Sequence, residues 1–353
     1  MSVFSNAVKL VVLVVNALCV AAMVACVYSS YLPPQYHPRW SVLGLLFPTF
    51  LCANILFALF WLLFKWKYAA LSLLGLLLCF GTVRAYMPVN FSGEAPDSAI
   101  KIMTYNVGLF GHMDGHTWED NPVLELILNS DADVVCLQEI GGFGAAINRK
   151  QLKQDVYPYV MMDKGVACLS KYPILSKKQI EYTSQGNNSF AYELCVEQDT
   201  VLLVNNHLES YKLSRADKDL YKDVLANPQN AEDNSDFKNL IRRVMKSNKV
   251  RGAQADSVAA FLDANASNYR HVIVCGDFNE TPVSYSYNQL TKNLNDAFAS
   301  SGNGLGFTYE RNGMFFRLDH IMVSDAVKVH DAYVDHSTDA SDHYPMCAVI
   351  ELK

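Results

Sequence analysis

HVIVCGDFNETP, residues 271–282, runs five apolar, strand-like residues into a glycine, then into Asp277 and Asn279, then into a proline. At period two these polar side chains lean the same way, so a buried strand would present both at its carboxyl end. Other apolar runs end alike. KIMTYNV ends near Asn106, VVCLQE on Glu139 and TVLLVNNH on His207. FRLDHIMVS carries Asp319, and Ser341, Asp342 and His343 precede the last run, MCAVIEL. One such residue would be an ordinary turn former. Together they suit a cleft beyond the carboxyl ends of several strands.

The pattern between these runs is mixed. WEDNPVLELIL reads as a helix with acidic residues in its first turn. FAYELCVE and TVLLVNNH, joined by a short polar turn, read as a hairpin. Residues 211–265 read as helical, with a break near ANPQNAEDNSD. Strands with interspersed helices predict an α/β domain over residues 99–353.

The front of the chain differs in kind. Residues 1–85 contain no Asp or Glu and only Lys9, Arg39, Lys65, Lys67 and Arg84 as basic residues. Apolar runs at about 10–32 and 42–64 are each long enough to cross a bilayer, and a run at 68–83 is slightly short. Residues 1–86 are therefore expected to be an all-α membrane anchor of three transmembrane helices, followed by a linker at 87–98. Lys9, Lys65 and Lys67 fall on one side of such an anchor and Arg39 and Arg84 on the other. The positive-inside rule then predicts a multi-pass protein with its catalytic domain outside the cytoplasm. If the third run only dips into the membrane, the domain lies in the cytoplasm.

Five of the 29 Lys and Arg residues and none of the 35 acidic ones fall in that anchor, which leaves the rest of the chain near −11. Non-specific nucleic-acid binding usually needs the opposite sign. Four of the nine Cys lie in the apolar runs; the other five, Cys136, Cys168, Cys195, Cys275 and Cys347, show no metal-ligand spacing and read as buried free thiols. The one basic region, residues 211–251, reads as a solvated helical face or as a lid whose Arg242 and Arg243 gather an anionic headgroup.

The strand-end residues suit hydrolysis at phosphorus. Mg²⁺ takes a carboxylate and neutral oxygens, which Glu139 and Asn106 offer. A His held in one tautomer by a carboxylate can take a proton from water, and Asp319 and His343 could form that pair. Asp277 and Asn279 would hold the attacking water and a phosphoryl oxygen.

In order, KIMTYNVG, VVCLQEI, GVACLSKYPI, LVNNHLES, VCGDFNETP, RLDHIMVS and SDHYPMCAVIEL resemble the motif series of the endonuclease/exonuclease/phosphatase superfamily. That group includes deoxyribonuclease I, abasic-site endonucleases, neutral sphingomyelinases and inositol polyphosphate 5-phosphatases. The resemblance implies a four-layer sandwich of two mixed β-sheets flanked by helices, with Mg²⁺ (Mn²⁺ as a substitute) as cofactor. It implies Glu139, Asn106 and Asp342 as metal-binding residues, Asp342 being the acidic residue beside the catalytic His343, and Asp319 as that histidine's orienting partner. Asp277 and Asn279 match its water- and phosphate-positioning pair. His207 stands where the deoxyribonuclease and sphingomyelinase branches carry a His, and Gly108 replaces an Asp of the abasic-site enzymes. Both departures argue against abasic-site repair.

Arg317, two residues before Asp319, is expected on the same strand face, touching a phosphate or forming a structural ion pair. His320 should face the opposite way, while His271, His330 and His336 are expected at the surface. The implied function is a membrane-anchored, metal-dependent phosphodiesterase acting on a lipid or headgroup phosphoester. The rivals are an extracytoplasmic nuclease and a membrane-tethered binding module without catalysis.

Overall fold

Helices account for the front of the chain: α1 (Asn6–Ser29), a 3₁₀ segment Trp40–Leu46 running into α2 (Phe47–Phe64), α3 (Trp66–Leu78) and α4 (Phe80–Tyr86). The structure, a computed structural model, describes residues 6–91, 93–114, 121–141, 156–227, 229, 235–311 and 313–353. Residues 6–29 and 40–64 are each long and apolar enough to cross a membrane. The third expected span is not one straight helix. The chain bends by 70° between α3 and α4, and the two qualify as a span only if taken together. No proline marks the bend. Instead α4 turns onto the domain that follows, where Arg317 donates from Nη2 to the Ala85 carbonyl near the end of the helix.

Two polar groups tie the helices to one another. Asn16 of α1 donates to Ser72 of α3 (2.7 Å) and accepts from Trp61 of α2 (3.1 Å). Asn54 donates to the Cys19 and Phe50 carbonyls. In an apolar surrounding such bonds fix which helix faces meet. The described residues of the expected linker, 87–98, form no helix or strand.

The domain proceeds through β1 (Ile100–Asn106), α5 (Pro122–Asn129), β2 (Val134–Gln138), β3 (Tyr159–Asp163), β4 (Val166–Ser170) and β5 (Ile174–Ile180). It continues with β6 (Ser189–Val196), β7 (Asp199–His207), α6 (Arg215–Ala226), α7 (Ser235–Asn265), β8 (His271–Asp277) and α8 (Tyr285–Leu290). Then come β9 (Asn295–Asp296), α9 (Ala297–Ser301), β10 (Tyr309–Arg311), β11 (Met314–Phe316), β12 (Asp319–Val323), β13 (Val327–Val334) and β14 (Met346–Leu352). After His207, α6 ends at Ala226 with Asn227 leaving the helical region, and most of the expected Asn/Asp-rich break lies outside the described residues.

Among the described residues, two six-stranded sheets form, ordered β13-β14-β1-β2-β4-β3 and β5-β6-β7-β8-β12-β9, beside the two-stranded ribbon β10-β11. Each large sheet is mixed: β1 with β2 and β7 with β8 run parallel, and the other pairs antiparallel.

Side-chain parity builds the layers. Ile102, Val134 and Cys136 of one sheet pack between the sheets against Leu203, Ile273, Cys275 and Ile321 of the other. The alternate residues Met103 and Val135 pack on α5, and Val272 and Val274 pack on α7 and α8. The result is the expected four-layer sandwich, helix–sheet–sheet–helix. The thiols are free, with Cys136, Cys168, Cys275 and Cys347 buried and Cys195 partly so.

Two histidine expectations fail. His271 is buried, its Nε2 3.1 Å from the Lys353 carbonyl. His330 is buried too, its Nε2 2.9 Å from Glu351 on the neighbouring strand. Strand pairing supplies Glu351 to His330, whereas Lys353 reaches His271 from the end of β14 in the other sheet, and neither contact is visible in single-sequence order. His336 is exposed, and His320 is buried on the helix-facing side of β12.

Candidate active site

The parity that builds the inter-sheet core also places the site. Asn106 continues the series Ile100, Ile102 and Thr104. His207 continues Val201, Leu203 and Asn205, and Asp277 continues Ile273 and Cys275. Parallel pairing sets His207 beside Asp277, and antiparallel pairing sets Asp319 beside the same residue. The polar groups therefore gather at one open end of the seam between the sheets.

Backbone strain helps to aim them. Glu139 and Asn279, each just past a strand end, have φ of 54° and 52°. Non-glycine residues adopt this left-handed region only where their surroundings hold them, at a cost of about 1–3 kcal/mol each. The Asn279 N–H donates to Asp277 Oδ1 (2.8 Å), and its side-chain amide donates to Asp277 Oδ2 (3.0 Å) and the Leu208 carbonyl (3.0 Å). Gly276 has φ of 130°, and a Cβ there would lie 1.9 Å from the Asn206 carbonyl oxygen. The glycine of GDFN is thus required by its neighbour strand.

At the centre, Asn106 Nδ2 donates to Glu139 Oε1 (3.1 Å) and Asp277 Oδ2 (3.0 Å). His207 Nε2 lies 3.5 Å from Glu139 Oε1 and has no hydrogen-bond partner. His343 donates from Nδ1 to Asp319 Oδ2 (2.8 Å), which leaves its Nε2 3.8 Å from Asp277 Oδ2. Thr308 Oγ accepts from the N–H groups of Leu318 and Asp319, and Ser341 Oγ accepts from the His343 N–H. Tyr309 meets the His343 ring edge-on at 5.1 Å. Thr308 and Tyr309 escape a sequence reading, because they lie in a short ribbon strand and its approach.

Electrostatics follow from burial and pairing. Burial opposes ionisation of Glu139, yet the nearby His207 ring and the Asn106 amide outweigh it and hold its carboxyl down at about 2. Burial raises Asp277 above the usual carboxylate range, with Asp319 adding to it. Burial works against charge on His343, but Asp319 and Asp277 outweigh it and raise its proton affinity well above that of a free imidazole.

The donor set fits a hard divalent cation. Ligand atoms of Glu139, His207 and Asp277 all lie within 4.8 Å of one another, as do those of Asp277, Asp319 and His343. Carboxylate oxygens dominate both groups, which is the ligand type that Mg²⁺ or Mn²⁺ takes. Asp342 lines the same cavity but belongs to neither cluster.

The three arginines expected at the substrate do not line this cavity. Arg317 is buried elsewhere, its guanidinium 4.4 Å over the Phe298 ring and 3.9 Å from Asp296. It precedes β12 rather than belonging to it, so strand parity does not carry it to the face of Asp319. Arg243 pairs with Asp217 on α6, and Arg242 donates to Asn239 (2.6 Å) at the surface.

The loop after His207 is clamped by α7. Arg251 donates to Glu280 (2.9 Å), to the Glu209 carbonyl and to Asn248 (2.7 Å), and stacks 4.2 Å over Tyr211. Burial opposes its charge, but Glu280 outweighs that penalty. The clamp fixes one wall of a cavity of about 240 Å³ whose floor holds Glu139, Asp277, Asn279 and His343.

A mixed-sheet sandwich with acids, amides and a carboxylate–histidine pair at one end of its seam is the architecture of a phosphoesterase. The chain belongs to the Endonuclease/Exonuclease/phosphatase family, whose profile matches residues 103–343. A second profile, of a domain of unknown function, matches residues 9–86. No curated protein matches the chain.

Among solved structures, it is similar to the human Nocturnin catalytic domain with bound sulfate at 17% identity and a TM-score of 0.55, covering 74% of this chain and 97% of that one. D. rerio TDP2 complexed with a single-strand DNA product matches at 16% identity and a TM-score of 0.51, over 72% of this chain and 100% of that one. A Bacteroides vulgatus endonuclease/exonuclease/phosphatase matches at 16% identity and a TM-score of 0.50, over 73% and 100%. At these identities the likeness is one of fold.

Proposed function

We propose that this chain is a membrane-anchored, divalent-metal-dependent phosphodiesterase acting on a lipid or headgroup phosphoester. The observation that carries the reading is the convergence of Glu139, Asp277 and His343 on one cavity floor, with His207 clustered beside Glu139 and Asp277 and Asp319 paired behind His343. Glu139, with Asn106 and Asp277, would hold Mg²⁺ or Mn²⁺, which when bound would neutralise charge on a phosphoryl oxygen. Asp319 accepts the His343 Nδ1–H, so that in the neutral imidazole Nε2 would be the atom that takes a proton from the attacking water. Asp277 and Asn279 would position that water. His207, whose Nε2 is unpartnered, would donate to a phosphoryl oxygen; Asp342 would add charge near His343.

The anchor would cross the membrane three times with the domain outside the cytoplasm. Supporting this, the α1–α2 connection and the end of α4 both touch the domain, through Ser41 and Ala85, while Lys65 and Lys67 lie at the far turn between α2 and α3. The test is a substrate panel with the purified full chain: phospholipid vesicles, sphingomyelin, single- and double-stranded DNA, RNA and bis(4-nitrophenyl) phosphate. Turnover that needs Mg²⁺ or Mn²⁺, stops with EDTA and falls by roughly 10³ in His343→Ala supports the reading. Absence of metal-dependent turnover on the whole panel refutes it and leaves the tethered binding module.

A further inference from the structure

The cavity has two unlike ends. One end carries Glu139, Asp277, Asp342 and His343, while the other includes Leu240, Ile241 and Val244 of α7 with Met314, Phe316 and Leu318 around β11. Leu240, Val244, Met314 and Leu318 are almost wholly shielded from solvent around this open space. A reaction that needs only a phosphate and water gains nothing from such walls. The cations on the lining are engaged: Lys218 donates to the Tyr309 hydroxyl (2.6 Å), and Lys212 pairs with Glu209 (2.8 Å). A polynucleotide would bring one charge per nucleotide to walls that answer with hydrocarbon.

A further wall residue comes from the anchor. Leu45, in the segment between α1 and α2, lines the cavity together with the catalytic floor. That segment is fixed to the domain. Asn248 of α7 donates to Ser41 (3.0 Å to its hydroxyl), and a Cβ on Gly44 would lie 2.0 Å from the Val283 carbonyl oxygen. Trp40 and Leu46, on the same segment, remain about half exposed, at the level where an anchored protein meets headgroups.

We infer that the apolar end of this cavity is a subsite for the hydrocarbon part of a membrane phospholipid, held while its phosphoester lies on the catalytic floor. This rests on the hydrolytic reading above and narrows its substrate class. The membrane segment serves as part of the substrate pocket as well as a tether.

The experiment uses the full chain in detergent, with Mg²⁺, on a series of alkyl 4-nitrophenyl phosphodiesters from methyl to octyl, each below its own aggregation concentration. Burial of a methylene is worth up to about fourfold in kcat/KM, so the wild-type value should climb by roughly 30-fold or more along the series. Leu240→Trp, which fills the subsite, should flatten that climb, and the milder Val244→Phe should shorten it. Partition into detergent would raise all three proteins equally, so parallel slopes overturn the subsite. A flat wild-type series, or faster cleavage of an oligonucleotide than of the octyl ester, also overturns it. No metal-dependent turnover of any ester overturns the hydrolytic reading instead.

Discussion

Asp319 gives one carboxylate oxygen to His343 and leaves the other, Oδ1, without a hydrogen-bond partner inside the protein. Its charge, more than its shape, sustains the basicity of the histidine. Asp319→Asn keeps the volume and removes the charge, so kcat should fall by about 10²–10⁴ while the melting temperature moves little. Equal loss in stability and rate would make the pair structural. His320, one residue on, shows the opposite environment. It sits between Phe278 and Tyr287, at 5.1 Å from each ring, with Nε2 on the Glu280 carbonyl and Nδ1 unpartnered. Burial lowers its pKa from 6.5 to about 4. The unfolded chain therefore binds this proton more readily, so the stability at stake is complete above pH 6.5 and drains away as pH falls to 4. The loss is on the order of 3 kcal/mol. Melting temperatures from pH 7 to pH 4.5 should fall less steeply in His320→Gln than in the wild type, and parallel curves would count against this account.

Elements position these residues by pairing. β8 is the hub: β7 lies parallel on one side and β12 antiparallel on the other, so His207, Asp277 and Asp319 stand in one row. That row needs β7 and β8 to approach closely at Gly276. Gly276→Ala puts a methyl group into the Asn206 carbonyl and asks alanine to hold φ of 130°. A destabilisation of at least about 4 kcal/mol is expected, or failure to accumulate folded protein. A folded, active variant of near-normal melting temperature would show that the strands can part there. The parity rule read from HVIVCGDFN works inside a strand and stops at its end. That is why it succeeds for Asp277 and fails for Arg317, which lies between β11 and β12.

At the scale of the whole molecule, the apolar N-terminal helices and the domain are joined by more than a linker. Gln35 donates to Asp256 (2.8 Å), Asn288 donates to Ser30 (2.8 Å to its hydroxyl), and Arg317 reaches the Ala85 carbonyl. These contacts involve the α1–α2 connection and the end of α4, so both belong on the domain's side of any bilayer. With basic residues 9, 65 and 67 at the other side, the domain should be extracytoplasmic. Epitope tags before Asn6 and after Lys353 offer a direct check in intact spheroplasts. The C-terminal tag should be cut by added protease and the N-terminal one protected. The reverse pattern, or two tags on one side, would overturn the three-span arrangement.

The sequence by itself determined the apolar runs at the front, the period-two runs of the domain and the polar residues that end them. Each of these is a local property, set by hydropathy and by which way successive side chains point. It also carried the motif order that marks the family. Tertiary structure decided the rest. Strand register brought His207, Asp277 and Asp319 into one row, and partners distant in the chain, Lys353 and Glu351, accompany the burial of His271 and His330. The third apolar run bent onto the domain, and Leu45 of the N-terminal helical region joined the cavity that holds Glu139, Asp277 and His343. Those outcomes depend on contacts between residues far apart in the chain, whose free energies appear only once the layers have packed.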